Sequence, residues 1–295
     1  MSFNKIIGQE LAKKILLNAM RNNKIPNAYL FYGEDGVGKF LMAVAFAKAV
    51  NCLEKEWDFC DKCRNCRLID EKKTPDFKIV EPEDTDQIKI DTIRDIKKEV
   101  GFKKVHLKRR FVIIREAEKM NREAQNAFLK TLEEPPSDTT FILITRNIFG
   151  LYPTIISRCQ KIRFRKLKKE EIKKYLEDNL NMVSAYAEDI ASISQGRLDI
   201  ALKIASGELL ALNQNVRKFI EADVRKKLQI LGEIEDLEEF LHLLLWNLKE
   251  KLKEIDEKGR VIGMIKDVEG IYWGIRHNIP EDLIKCKLAD IFARK

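Results

Sequence analysis

No run in these 295 residues approaches the ~20 apolar residues that a membrane-spanning helix needs; Leu243-Leu244-Leu245-Trp246 is far short of it. The opening, MSFNKIIGQE, turns polar too early for the apolar core of a secretory signal, so the expected location is the cytoplasm. Internal repeats and low-complexity tracts are absent, which excludes solenoids and linker-like chains. An excess of one charge is nearly absent too. Lys+Arg of 55 against Asp+Glu of 47 leaves +8, which permits an acidic partner such as nucleic acid without demanding one. Cysteine is sparse, and most of it is clustered, which argues for a metal before disulfides. What is abundant is ordinary: 45% apolar and 35% charged residues fit a folded, helix-rich chain long enough for two or three cores.

The densest signal is YLFYGEDGVGKF, residues 29–40. Residues 29–32 read as a short buried strand. Gly33, Gly36 and Gly38 punctuate a loop closed by Lys39, and a helical pattern follows over 41–50. Strand, Gly-x-x-x-x-Gly-Lys loop and helix form a phosphate cradle, in which backbone N–H groups, the helix N-terminus and a lysine face one anion. The residue after the lysine should be Ser or Thr, whose hydroxyl ligates Mg²⁺. Here it is Phe40, which offers no oxygen. Phosphate docking stays open, and hydrolysis at this loop is not expected.

Upstream, residues 1–28 read as a lead-in helix opened by Asn4 or Gly8, with Leu11, Ile15, Leu16 and Met20 at helical spacing and Pro26 beyond its end. Downstream come Cys52 and then Cys60-x-x-Cys63-x-x-Cys66. Four thiols with tight C-x-x-C turns suit a tetrahedral ion, and no histidine lies nearby. Iron–sulfur ligation is the rival reading. Without a redox motif beside it, zinc is preferred, in a closed and therefore structural site with no vacancy for substrate.

Residues 75–81 read as a second strand, with acidic Glu83, Asp84 and Asp86 in the loop after it, and 88–100 as a helix with Ile90, Ile93, Ile96 and Val100 on one face. Arg94, Lys97, Lys98, Lys103, Lys104, Lys108, Arg109 and Arg110 form a basic stripe, either a solvated face or a DNA contact. The apolar run 111–114 suits an interior parallel strand. At its end a nucleotide-hydrolysing fold needs an Asp to position Mg²⁺; Arg115 stands there, followed by Glu116, read as a surface or interface residue. Residues 121–134 read as a helix capped by Asn121 and stopped at Pro135-Pro136, and 141–145 as a buried strand. Asn147 follows at a strand's C-terminal end, where ligands sit in open α/β sheets. A basic strand-like piece covers 160–165.

NAFLKTLEEPPSDTTFILIT followed by IISRCQKIRF, together with IIGQELAKKIL, NAYLFYGEDGVGKF and the four cysteines, resembles the clamp-loader branch of the AAA+ family over about residues 1–205. Motor subunits of that branch keep both metal-positioning residues. This sequence carries Phe40 and Arg115 there but retains Ser157-Arg158-Cys159, so it most resembles the delta-prime family of bacterial DNA polymerase III subunits. Where the branch places Gly-x-x-Arg, with the arginine on the γ-phosphate, this chain reads Gly196-Arg197-Leu198-Asp199.

The resemblance implies an α/β AAA+ P-loop domain over 1–166 with a four-cysteine zinc module at 52–66, a helical lid over 167–207 and an all-α collar over 208–295. It implies a non-hydrolysing stator that belongs to a polymerase holoenzyme without being an autonomous ATPase. Arg158 would act in trans as an arginine finger on a neighbour's ATP. The implied partners are gamma/tau-like and delta-like subunits in a hetero-pentamer, with the sliding clamp and primed DNA reached through the complex. Cys159 reads as a small buried residue, not a nucleophile.

In the lid, 168–179, 188–193 and 197–205 read as short helices broken at Gly196 and Gly207. Beyond Leu210 the pattern is helical throughout. Leu237, Phe240, Leu241, Leu244, Leu245, Leu248 and Leu252 form one stripe. His242 reads as a core-edge residue, and Ile271, Tyr272, Trp273, Leu283, Leu288, Ile291 and Phe292 as further apolar faces. No catalytic constellation appears there. Two other readings stand beside the stator: an active gamma/tau-like motor with an unusual loop, and a zinc-bearing DNA-binding module without ring assembly.

Overall fold

The structure, a computed structural model, describes residues 3, 6–82, 87–207, 210–254, 258–275 and 279–293. Asn4, Glu83, Asp84 and Asp86 lie outside them, as do the side chains of Leu252 and Trp273. The chain divides into two compact units, Met1–Ala187 with Gln195–Asp199, and Glu188–Ser194 with Ile200–Lys295.

The first unit is built on five parallel strands: β1 (Ala28–Tyr32), β2 (Phe77–Val80), β3 (Arg110–Ile114), β4 (Thr139–Thr145) and β5 (Gln160–Arg163), in the order β2-β3-β4-β1-β5. The interior strands are apolar on both faces because helices cover both. On one face Tyr29, Phe31, Phe111, Ile113, Ile142 and Ile144 pack with α1 (Glu10–Arg21), α2 (Lys39–Asn51) and α3 (Arg64–Asp70). On the other, Leu30, Val112, Ile114, Phe141 and Leu143 meet α4 (Ile90–Gly101), α5 (Arg122–Glu133) and α6 (Pro153–Ser157). Phe46 of α2 meets Tyr29 and Phe111 edge-on, each at 5.6 Å between centroids. Such pairs add about 0.5–1.5 kcal/mol beyond area burial, so α2 is held firmly on the sheet.

Most expected elements form, with shifted ends. The second strand is four residues long, and α1 begins at Glu10 behind a left-handed Gln9. Leu11, expected on the apolar stripe of α1, is exposed; Ala12, Lys13, Leu16 and Met20 are the buried positions, which rotates the buried face by one residue. Asn121 caps α5, its side chain accepting from the Ala124 N–H at 2.8 Å. Strand β5 lies at one edge of the sheet and buries only Ile162. After it come α7 (Lys169–Leu180), α8 (Ser184–Ile193) and α9 (Leu198–Ala205).

The second unit is helical: α10 (Leu210–Glu221), α11 (Val224–Gly232), α12 (Leu237–Glu254), α13 (Lys258–Ile275) and α14 (Glu281–Ala293). The expected α12 stripe from Leu237 to Leu248 is its core, with Phe219 stacked edge-on against Phe240 (5.4 Å) and Phe292 (5.1 Å). His242 is buried, its Nε2 3.0 Å from the Ile193 carbonyl, so it satisfies a helix end. Leu283 is exposed, against expectation; Ile284, one position on, fills the core instead. Among the described residues no helix is long and apolar enough to cross a membrane.

Candidate functional site

Helix α2 carries a candidate site at each end. At its N-terminus the loop leaves β1 and turns through Gly33, Gly36 and Gly38, all at positive φ. At Gly33 a Cβ would lie 2.2 Å from the Phe164 carbonyl oxygen, so only glycine fits that close approach. Lys39 is the first residue of α2, and its side chain is 5% exposed. Its amine donates to the carbonyls of Gly33 (2.5 Å) and Glu34 (2.6 Å) and to Asp35 Oδ1 (3.3 Å). Burial pushes the amine below the ordinary lysine value, and Asp35 only partly restores it.

Phe40 and Arg115 come together. The Arg115 guanidinium lies 4.7 Å from the centre of the Phe40 ring and also pairs with Glu81. The two residues singled out in the sequence, one just after the loop and one just after β3, are therefore in contact. Glu116 takes a left-handed conformation and pairs with Lys119 at 2.7 Å on the surface. Asn147 caps a short turn, accepting from the Phe149 N–H at 3.0 Å. Arg146 reaches Asp35 at 3.6 Å and Glu118 at 3.8 Å.

Three contributors escaped sequence reasoning. Gln9 is buried; its amide donates to the Val37 (3.2 Å) and Arg165 (2.6 Å) carbonyls and accepts from the Arg165 N–H. Arg146 and Glu118 brace the loop through Asp35. Only Gln9 sat inside a quoted motif, and nothing in its spacing announced a left-handed, buried residue.

At the far end α2 hands over to Cys52. The thiols of Cys52, Cys60, Cys63 and Cys66 all lie within 4.8 Å of one another, Cys52 and Cys63 at 4.0 Å. Zinc–sulfur bonds of about 2.3 Å in a tetrahedron place sulfurs about 3.8 Å apart, so this donor set fits such an ion. The N–H groups of Lys62 (3.4 Å) and Cys63 (3.2 Å) point at Cys60 Sγ, a pattern that steadies a thiolate. Lys48 braces the module through Asp61 at 2.8 Å and through Asp70. The four cysteines thus form a cluster consistent with a structural metal site.

Arg158 caps α6 and is 38% exposed; it bonds Glu133 at 2.9 Å and the Thr154 carbonyl at 3.1 Å. Its neighbour Cys159 is buried, its thiol pushed up to about 12 by that burial, as a packing residue requires. The basic stripe splits. Arg110 is buried against Asp76 at 3.2 Å and donates to the Val100 and Phe102 carbonyls. Arg109 turns inward to Thr140 and the Ile25 carbonyl. Arg110 is thereby removed from the surface and Arg109 is half-buried, while Lys97 and Lys103 remain exposed.

A glycine-and-lysine loop between a parallel strand and a helix, on a five-strand sheet followed by helices, defines the AAA+-like P-loop class. A family model described as DNA polymerase III, delta subunit, matches residues 8–168. That is more than half of the chain, and the chain belongs to this family. DNA polymerase III subunit delta' of Bacillus subtilis (strain 168) is 37% identical over 164 residues, 56% of this chain and 50% of that protein. DNA polymerase III subunit gamma/tau of Mycoplasma genitalium is 31% identical over 262 residues, 87% of this chain and 43% of that protein. The chain thus spans half or less of these curated relatives. A gamma subunit-related protein of Thermotoga maritima shares the fold at TM-score 0.54 and 20% identity, covering 97% of this chain and 98% of that one. The RuvB Holliday junction branch migration motor of the same organism does so at 0.52 and 16%, covering 98% and 88%.

Proposed function

We propose that this chain is a delta-prime-like subunit of the DNA polymerase III clamp loader. In this reading it does not hydrolyse ATP and donates Arg158 to the ATP site of a neighbouring subunit. The observation that carries the reading is the contact between Phe40 and Arg115. A hydroxyl at one position and a carboxylate at the other would hold Mg²⁺. An aromatic ring stacked on a guanidinium puts a fixed positive charge there and no ligand. Lys39, meanwhile, is engaged by its own loop.

Arg158 fits export. An exposed ion pair such as Arg158–Glu133 is worth about 0–1 kcal/mol, so a phosphate oxygen can replace Glu133 at small cost. A guanidinium placed on a γ-phosphate contributes ~10³-fold or more to turnover. We assign a zinc ion to the four cysteines, with a structural role, and the domain limits 1–166, 167–207 and 208–295 to the nucleotide-binding-like, lid and collar parts. Ring assembly through the collar with gamma/tau-like and delta-like subunits, and contact with clamp and primed DNA through the complex, complete the reading.

The alternative is an active gamma/tau-like motor, favoured by the longer stretch that such relatives match. One experiment separates them: ATP turnover by the purified chain and by the reconstituted complex, with and without Arg158→Ala. The stator reading expects no turnover alone and a large loss in the complex with assembly preserved. Magnesium-dependent hydrolysis by the purified chain would establish the motor.

A further inference from the structure

The turn Gln195–Asp199 belongs to the same compact unit as the loop and docks on it. The Leu198 N–H donates to the Gly36 carbonyl at 2.9 Å. The Asp199 carboxylate rests on Gly36 itself: a Cβ built there would lie 1.8 Å from Oδ1 and 2.7 Å from Oδ2. Arg197, which is buried, holds the same carboxylate through Nε at 3.3 Å and a terminal nitrogen at 2.9 Å. Gly36 sits at φ +72, so both its backbone conformation and the absence of a side chain serve this contact.

We propose that Asp199 is the specificity-determining residue of the loop: its carboxylate, seated on Gly36, excludes polyphosphate from the cradle. The proposal rests on the non-hydrolysing reading above and deepens it, because a loop that cannot place magnesium can still bind an anion. Four cations near the loop could attract one, and each is engaged: Arg146 by Asp35 at 3.6 Å and Lys166 by Glu34 at 3.0 Å among them. Lys39 directs its donors to loop oxygens, and Arg197 is held on Asp199. An arriving phosphate would have to displace this carboxylate, with its Arg197 pair, from Gly36, and two negative groups at such a distance repel. An arginine at position 199 would present the opposite sign to the same place. In this proposal the sign of one side chain decides whether the loop attracts or rejects a polyphosphate.

The test is calorimetric titration of the purified chain with inorganic tripolyphosphate, then with ATP. The wild type is expected to show no saturable binding. Asp199→Ala is expected to bind at least about tenfold tighter than the wild-type limit, a gain of ~1.4 kcal/mol. Asp199→Asn, which keeps the shape and removes the charge, should gain less. Adding Lys39→Ala to Asp199→Ala should abolish the gain, which locates the binding in the loop. Amide exchange of residues 195–199 in the wild type needs no variant and should not change with excess tripolyphosphate. Saturable wild-type binding equal to that of Asp199→Ala would overturn the proposal. So would no gain in folded variants, or wild-type exchange that rises to saturation. Wild-type binding without hydrolysis would defeat exclusion while leaving the stator reading standing; hydrolysis would defeat the stator reading itself.

Discussion

At its first residue α2 presents Lys39, with donors on three oxygens of its own loop; at its last it gives way to Cys52, whose thiol faces three others. The loop closes on itself through backbone carbonyls, Asp35, Asp199 and the Phe40–Arg115 stack. The cysteine cluster gathers four sulfurs within 4.8 Å of one another. Four thiols make poor hydrogen-bond partners but good metal ligands, so this end suits an ion from outside. Inherited motif and present demand therefore part company along a single helix. The end with the more familiar sequence pattern has its lysine engaged by its own loop, and the cysteine module is the end whose donors suit a metal.

The largest effect that can break this comparison is metal removal. Metal binding by small cysteine sites is coupled to folding, with apparent free energies of ~10–16 kcal/mol in isolated modules. Chelation, or Cys66→Ser, should strip about one zinc per chain, unfold the region around residues 52–66 and lower the melting temperature. An unchanged melt with no zinc released would mean that the cluster needs no ion. Next comes Arg158→Ala in the reconstituted complex, where ATP turnover should fall by ~10³-fold while the purified chain shows none with either residue. A complex indifferent to the change would remove Arg158 from catalysis.

Third, Arg115→Ala should cost about 1 kcal/mol in denaturant unfolding through loss of the stack on Phe40, and should confer no hydrolysis. A rise in turnover would show that Arg115 alone blocks the metal. The smallest effect is a pH dependence. Lys39 in the folded chain loses its proton at lower pH than in the unfolded chain, because it is buried. Between that lowered value and the ordinary value of 10.5 the unfolded chain binds more protons, so stability rises with pH across the window. Lys39→Met should flatten that rise relative to the wild type; identical slopes would show that the amine is not constrained.

Asp76 titrates in the opposite sense. Burial alone would raise its carboxyl, but N–H groups from His106, Leu107 and Val105 and the Arg110 guanidinium outweigh burial and hold it low. Its stabilisation is present above the ordinary carboxylate range and is lost as pH falls through the depressed value. Asp76→Ala leaves Arg110 without its buried partner and should cost about 3–5 kcal/mol in an unfolding titration.

Strands and helices were legible because apolar runs such as residues 111–114 and caps such as Asn121 are local signals. The four cysteines and the loop were legible because their chemistry is written in short spacings. The phase of a helix was less so: Leu11 and Leu283 look apolar in sequence, yet the neighbouring element decides which side is covered. Contacts between distant residues were illegible. Phe40 and Arg115 could each be read as a missing oxygen ligand, but not as a stacked pair. Arg109 and Arg110 read as surface charge until Thr140 and Asp76 supplied interior partners. Asp199 read as a lost arginine, with no hint that its carboxylate had come to rest on Gly36.

Among the described residues strand β5 pairs with β1 alone and ends the sheet, and its residues other than Ile162 are exposed. An unpaired strand edge invites another chain to add to it, and charged side chains discourage such pairing. Lys161 and Arg163 place such charges on this edge. Exchanging both for valine would leave the catalytic questions above untouched and should still make the protein prone to precipitate.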